Sequence, residues 1–478
     1  MITSILDSIN NESNESNEII EYDNNELTKN DVNNYGIIYT PFILSEKILN
    51  LIPEKYFKDP DMCWLDIGAG RGSFSIILYK KLNKGLQDII PNIVDRHKHI
   101  IEKMLWMIEI YPDHIDYLKK VFGKNANIIN CCFLSLNKYE YPPFDFIIGN
   151  PPYNISGSIK TPTNSKQKKT DDGRAVYVEF VKKSLELLLD GGFLNLIIPS
   201  LWLKPDKAGL YDIFTNLKIH KLHCLSTSAT YKSFNYKAQT PTCYFLIEKT
   251  NIEYFQDKSI KIYDKSFDKY FEYYLEPQFP IPTHGISIIN RLIPYVKRFD
   301  SLKVYKSNTP SRRSYFSDIS GDEFQYINIK TCILDKNQPR LIKNYSNIPQ
   351  HFNNKPKLIL AHKMYGFPFY DISGDYGIST RDTYIILQED YSKKELIEIQ
   401  AFLSTRFALY IFSITNYRMR YLERYAFYFL PNIMKILNFP KLNKYNRSER
   451  DKKIADFFNL SINEREIIEN YSHDYKFF

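Results

Sequence analysis

Asn150-Pro-Pro-Tyr153 follows the apolar run Phe146–Ile148 and the breaker Gly149. The run reads as a short buried strand that ends at the glycine. Two consecutive prolines lack N–H donors and hold φ near about −65°, so Asn150 to Tyr153 is stiff and cannot continue a sheet ladder. A rigid turn of this kind points an amide, free carbonyls and an aromatic ring into whatever cleft lies beyond the strand. A second candidate is Asp66-Ile-Gly-Ala-Gly-Arg-Gly72. Glycines at a strand-to-helix turn let a bound molecule approach the backbone closely. The loop is not the dinucleotide fingerprint, because Ser73 stands where a third glycine is required, and no Gly-Lys-Ser/Thr follows to make a P-loop. Glu109, at the end of the next apolar run, stands where an acid would accept hydrogen bonds from ribose hydroxyls.

The elements that must position these residues follow from periodicity. Trp64–Ile67 is expected to be a strand that runs through the glycines into a helix, the opening of a βαβ unit. A polar insertion is expected near Asn83–His99, then a strand over Lys103–Ile110 and a helix over Asp113–Phe122. Strands are predicted at Ile128–Phe133, Phe144–Ile148 and Phe193–Ile198, a helix at Tyr177–Leu189, and the last strand of the sheet at Cys243–Ile247. Strands alternating with helices imply an α/β fold with a doubly wound, mostly parallel sheet. Beyond residue 250 tyrosine and phenylalanine become frequent, short strands replace the alternation, and helical pattern returns at Ser392–Ser413. The expected organisation is an acidic disordered tail at 1–30, a first domain at 31–250, a proline-bearing linker at 251–300, a mixed α/β domain at 301–435 and a helical tail at 436–478.

The 478-residue chain is 44% hydrophobic and 25% charged, the balance of an ordinary globular protein. No run approaches the roughly 20 apolar residues of a membrane span. The first residues show no basic stretch ahead of an apolar one, so a cytoplasmic protein is expected, in a bacterial cell or a virus-infected host cell. Six cysteines form no CxxC pair and nine histidines no HExxH, which argues against a zinc site and for a reduced compartment. Residues 1–30 carry a net −6, leaving +14 on the rest of a chain whose formal charge is +8. A body this basic suits a polyanionic partner.

Taken in order, Tyr39-Thr-Pro41, the Asp66–Gly72 loop, Glu109, Asn150-Pro-Pro-Tyr153 and a strand introduced by Gly191-Gly192 resemble the γ-class N6-adenine DNA methyltransferases of restriction–modification type. The resemblance covers residues 35–247. It implies a Rossmann-like methyltransferase sheet, a C-terminal target-recognition domain and S-adenosyl-L-methionine as cofactor. By motif match, Tyr39, Thr40 and Pro41 would lie by the methionine end of the cofactor, Asp66, Gly68 and Gly70 would form the loop beneath it, and Glu109 would hold its ribose. The family often has Asp-Phe where this chain has Cys132-Phe133, so Cys132 stands in the place of an adenine contact and Phe133 is expected against the ring.

Adenine N6 is a poor nucleophile, its lone pair being delocalised into the ring. Two acceptors on its hydrogens, the Asn150 side-chain oxygen and the Pro151 carbonyl, would favour a pyramidal nitrogen able to attack a sulfonium methyl in line, with Pro152 stiffening the turn. Tyr153 would stack on the base, which must leave the duplex to be reached. In the family a second ring comes from just before the last strand; Phe234 is the expected partner, with Tyr231 and Tyr236 nearby. The basic run at 156–174, with Lys166, Lys168 and Lys169, could close over phosphates. In the second domain Arg312, Arg313, Lys363, Arg381, Arg418 and Arg420 are interleaved with tyrosines, and the stretch at 355–387 looks similar to target-recognition domains. The expected partners are double-stranded DNA and a separate restriction endonuclease, for a chain acting as a monomer with no membrane and no metal. The competing readings are an RNA adenine methyltransferase, a protein glutamine methyltransferase, whose substrate amide presents similar geometry, and a DNA-binding protein on a relic catalytic fold.

Overall fold

A computed structural model describes residues 38–154, 175–255, 258–335, 338–361, 368–381, 383–418 and 422–471. The acidic tail and the basic run at 156–174 lie outside the described residues. The chain divides between Tyr263 and Asp264 into two units, a boundary inside the stretch expected to be a linker.

The sheet of the first unit is made from β1 (Trp64–Asp66), β2 (Leu105–Glu109), β3 (Asn127–Asn130), β4 (Phe144–Gly149), β5 (Leu188–Pro199), β6 (Leu217–Leu225), β7 (Thr242–Asn251) and β8 (Ser259–Asp264). Their spatial order is β3-β2-β1-β4-β5-β7-β6-β8. Strands β1 to β5 pair in parallel. Strand β7 runs antiparallel to both β5 and β6, which turns β6 back into the direction of β1. The doubly wound, mostly parallel expectation therefore holds, with one correction: β7 is not the last strand, because β8 adds in parallel to β6 beyond it. After β1 the chain builds outward through β2 and β3, then returns to lay β4 on the other side. That reversal opens a crevice at the carboxyl ends of β1 and β4, where open α/β sheets bind ligands.

Helices α1 (Phe42–Leu49), α2 (Ser73–Gly85), α3 (Ile93–His99), α4 (Pro112–Phe122), α5 (Tyr177–Leu187), α6 (Leu210–Thr215) and α7 (Thr227–Ser233) complete the unit. The stretch read as a polar insertion is partly helical. Asn92 starts α3 there by accepting from the N–H groups of Val94 and Asp95, an N-cap that a hydrophobicity count does not register. A wide π-turn over Ile100–Met104 delays β2 to Leu105.

Burial at every position of β1 explains the strand's composition. Trp64 stacks on Phe57 at 5.4 Å and on Phe146 at 4.0 Å, and Phe146 stacks on Phe193 at 5.1 Å. Trp64, Phe146 and Phe193 are register neighbours on β1, β4 and β5, so one column of rings ties together the three strands that carry the crevice. Phe146 is fully buried. Phe146→Ala should cost about 3–5 kcal/mol, measured by chemical denaturation; a loss below about 1 kcal/mol would show that the column does not hold the strands.

The second unit is mixed α/β. It contains β9 (Lys269–Tyr274), β10 (Tyr305–Lys306), β11 (Phe316–Ser317), β12 (Tyr326–Asp335), β13 (Gln338–Ser346), β14 (Lys357–Leu360), β15 (Phe369–Asp371), β16 (Gly377–Ile378) and β17 (Tyr384–Leu387). Two four-stranded sheets have the orders β10-β17-β14-β15 and β11-β13-β12-β16. Helix α8 (Ile286–Phe299) precedes these sheets, and α9 (Lys393–Leu403), α10 (Arg406–Ser413), α11 (Arg447–Phe457) and α12 (Ile462–Tyr471) follow. The stretch at 251–300 is thus not a bare linker but holds β8, β9 and α8. Among the described residues no single helix is long and apolar enough to cross a membrane.

Candidate active site

Parallel pairing brings the carboxyl ends of β1, β2 and β4 to one edge of the sheet. Asp66 ends β1 and is paired in register with Ile148 of β4. Its carboxylate is fully buried: Oδ2 accepts from Ser75 Oγ at 2.7 Å, and Oδ1 has no hydrogen-bond partner among the described residues. Burial pushes the carboxyl up to about 7, against hydrogen bonds from Ser75 and the Gly68 backbone that favour the charged form. A raised carboxyl binds its proton more tightly in the folded chain than in the unfolded one. Its contribution to stability is therefore full below the unfolded value of about 4 and is lost as pH rises through about 7. Asp66→Asn, which mimics the neutral acid, should gain stability relative to wild type as pH rises from about 4 to about 7. Parallel melting-temperature profiles for the two proteins would contradict this.

The glycine loop is open where a ligand would need it. A Cβ at Gly68 would meet nothing within 4 Å, and one at Gly70 would meet only the Tyr39 ring, at 3.9 Å. Gly70 has φ +55°, which favours glycine. Glu109 lies across from this loop. Its Oε2 accepts from Gly70 N at 2.7 Å, and its Oε1 accepts from the N–H groups of Ile110 and Tyr111, both at 2.8 Å. Burial works to raise this carboxyl, but His114 and the Tyr111 and Gly70 N–H groups outweigh it and hold Glu109 below the usual range, ionised at neutral pH. An ionised strand-end acid beside an open glycine loop fits the ribose and backbone approach of a nucleoside cofactor.

Gly149 carries the chain out of β4 at φ +138°, and a Cβ there would stand 3.2 Å from Asp66 Oδ1. This conformation aims Asn150 away from the strand. Asn150 Nδ2 donates to Thr40 Oγ1 at 3.0 Å, and Thr40 is buried. With the amide nitrogen engaged, the Asn150 Oδ1 is presented as an acceptor; it is buried and has no partner among the described residues. Pro41 fixes the Thr40 segment by receiving the N–H groups of Leu44 and Ser45 at the start of α1. Pro151 is buried and Pro152 half-buried. The Tyr153 carbonyl accepts from Val176 N at 3.1 Å, and Asn154 bridges to Ala175, which ties the end of the motif to the start of α5. The Tyr153 ring packs edge-on against Tyr177 at 6.4 Å. Its hydroxyl is buried, and burial, with Cys243 and Tyr177 nearby, raises its pKa well above the ordinary tyrosine value. Tyr153 therefore stays a neutral phenol and is no candidate base.

Two expectations change. Phe234 is 1% exposed and belongs to the hydrophobic core with Ala238, Tyr244 and Leu225, so its ring is not presented to a cleft. Helix α7 ends at this residue and turns it inward. Asn235 and Tyr236 then adopt φ 47° and 67°, throwing the Tyr236 ring outward to 64% exposure against Tyr231 at 5.0 Å. The second change concerns the β3 end. Cys132 is exposed, with its carbonyl accepting from Ser135, while Phe133 is buried and stacks on Phe180 of α5 at 5.2 Å. In the second unit Arg312, Arg313, Arg381 and Arg418 are exposed. Lys166, Lys168, Lys169, Lys363 and Arg420 lie outside the described residues. Among the described residues no group of His, Cys, Asp and Glu could hold a metal ion.

The sequence reading missed His114, a buried residue of α4 whose Nε2 meets Tyr39 Oη at 2.8 Å. Its only signal was its place five residues after Glu109, where a lone histidine reads as core.

Residues 71–231 match the Eco57I restriction-modification methylase family. That match spans the glycine loop's end, Glu109 and the Asn-Pro-Pro-Tyr turn. The chain is 26% identical to an uncharacterized adenine-specific methylase of Mycoplasma pneumoniae, over 40% of this chain and 62% of the relative. It is 30% identical to modification methylase CviBIII of Paramecium bursaria Chlorella virus NC1A, over 36% of this chain and 40% of that one. The chain thus spans less than two thirds of the length of either relative. Among solved structures it is similar to the Type ISP restriction-modification enzyme LlaGI (TM-score 0.40, 14% identity, 62% of this chain and 29% of that chain). It is also similar to the Type I restriction enzyme EcoKI M protein (TM-score 0.35, 17% identity, 47% and 48%).

Proposed function

We propose that this chain is a DNA adenine-N6 methyltransferase of the restriction–modification type, using S-adenosyl-L-methionine and acting on an adenine turned out of the duplex. The observation that carries the reading is the Asn150 amide: one end is tethered to Thr40, and the other is a buried acceptor at the sheet's switch point. The methylase family match over 71–231, the adenine-specific methylase relative and the modification methylase relative support this reading.

The cofactor supplies an electrophilic methyl on a sulfonium. The residues fitted to hold it are those around the open glycine loop: Tyr39 over Gly70, Gly68 facing open space, Glu109 for the ribose hydroxyls, and Asp66 buried beneath. Asn150 Oδ1 and the Pro151 carbonyl would each accept a hydrogen bond from N6, which localises the nitrogen lone pair. As the N6–methyl bond forms, the methyl–sulfur bond would break to leave the thioether S-adenosylhomocysteine, and the extra N6 proton would pass to water. The Thr40 tether keeps the amide from turning its N–H₂ end toward the amine, where it would repel. Tyr153 stacks on the base as a neutral ring. Positioning and oriented dipoles carry the catalysis, and no strong base is needed. The second unit, with exposed Arg312, Arg313, Arg381 and Arg418, grips and reads the DNA.

The test is incubation of the full chain with methyl-labelled S-adenosyl-L-methionine and duplex DNA of mixed sequence, followed by mapping of modified bases. The expected result is N6-methyladenine at one sequence context. Preferential labelling of single-stranded RNA, or of a glutamine in a protein, would replace this reading with one of the other methyl acceptors.

A further inference from the structure

We infer that His114 is a positioning residue of the cofactor pocket, the joint that holds Tyr39 over the glycine loop and beside Glu109; this rests on the cofactor reading above. Three segments far apart in sequence meet at its ring. Nε2 is 2.8 Å from the Tyr39 hydroxyl, 75 residues away in the chain. Nδ1 is 3.7 Å from Glu109 Oε2, the oxygen that also receives Gly70 N. Tyr111 packs edge-on against the imidazole at 4.9 Å, and the Tyr39 ring lies tilted against it at 5.6 Å. The side chain is 2% exposed, yet Nδ1 has no hydrogen-bond partner among the described residues. A histidine kept for packing alone would have both ring nitrogens satisfied or be replaced by an apolar residue at no loss. Here one nitrogen is spent on Tyr39, and the other faces the acid that would hold the ribose.

The geometry makes His114 act through its neighbours. Tyr39 covers Gly70 from one side while Glu109 receives the Gly70 N–H from the other, so the imidazole sets the width of the gap between ring and carboxylate. Helix α4 supplies a rigid base for this joint, because Pro112 opens it and Leu118, Val121 and Phe122 bury its inner face. Removing the imidazole leaves the catalytic Asn150 turn intact, since Thr40, not Tyr39, tethers it.

The experiment measures dissociation of S-adenosyl-L-methionine and of S-adenosylhomocysteine by calorimetry for wild type, His114→Leu, His114→Gln, Tyr39→Phe and the His114→Leu/Tyr39→Phe pair, with melting temperatures for each. His114→Leu should weaken both ligands about tenfold, the scale of one hydrogen bond removed from a buried site. At saturating cofactor, kcat should stay within about twofold. His114→Gln, whose amide reaches the position of Nε2, should recover most of the affinity. The double variant should be little worse than His114→Leu alone, because both changes break the same bond. Ligand affinity within twofold of wild type in His114→Leu, or strictly additive losses with Tyr39→Phe, would overturn the inference while leaving the methyltransferase reading in place. Loss in kcat equal to the loss in affinity, with no recovery in His114→Gln, would make the residue merely structural. If His114→Leu does not fold, the Tyr39→Phe and His114→Gln affinities decide the matter alone. No binding of either ligand by the wild-type chain would overturn this inference together with the cofactor reading.

Discussion

Asn150→Ala should lower kcat by about 10²–10³-fold or more while S-adenosyl-L-methionine binds as to wild type. In the proposed reaction the acceptor removed would act on the amine during attack, not on the cofactor, which places the loss in the chemical step. The structure adds a reason for a large effect: the Asn150 amide is already oriented through Thr40, so no reorganisation dilutes its contribution. Single-turnover methylation at saturating cofactor and DNA, set beside calorimetric cofactor affinity, separates the two steps. A rate within threefold of wild type would remove Asn150 from the catalytic assignment. Loss of cofactor binding in the same variant would mean that the turn shapes the cofactor pocket instead.

DNA affinity should fall by about 10³-fold between about 50 and about 200 mM salt, the response of a protein that neutralises several phosphates. A preferred duplex should outcompete random sequence by about 10³-fold or more. Replacing Arg312 and Arg313 together with alanine should make the log–log salt dependence shallower by about 0.9 for each phosphate no longer neutralised. Both side chains are exposed on the segment between β10 and β11 of the second unit. Cofactor affinity should not move, because every residue fitted to hold the cofactor lies in the first unit. Fluorescence anisotropy over a salt series reads both quantities. Binding that ignores salt, or a slope unchanged in the double variant, would exclude these arginines from the DNA interface.

What the sequence determined by itself was local. Asp66 at the end of β1, the glycine turn after it, Glu109 at the end of β2 and the Asn-Pro-Pro-Tyr turn after β4 were all legible. Each depends on a short apolar run followed by residues with restricted or unusual backbone freedom, and that preference is written within about ten residues. The doubly wound sheet was legible for the same reason, as an alternation of strand and helix patterns. The tertiary structure alone decided how distant segments meet. Thr40 tethers Asn150 across 110 residues, and His114 joins Tyr39 to the Glu109 edge across 75. Hydrophobic periodicity carries no information about such pairings, since a threonine or a histidine scores the same whether it faces a partner or the core. The insertion of β7 between β5 and β6 by antiparallel pairing, and the parallel addition of β8 to β6, are strand orders that a count of apolar runs cannot supply. The same limit governs the aromatic ring expected to face the turn. Phe234 and Tyr236 lie two residues apart and read alike in sequence, yet two left-handed residues at the end of α7 bury one and expose the other. Left-handed backbone at Asn235 and Tyr236 carries a local cost of about 1–3 kcal/mol each, so a reading of local preference does not anticipate it.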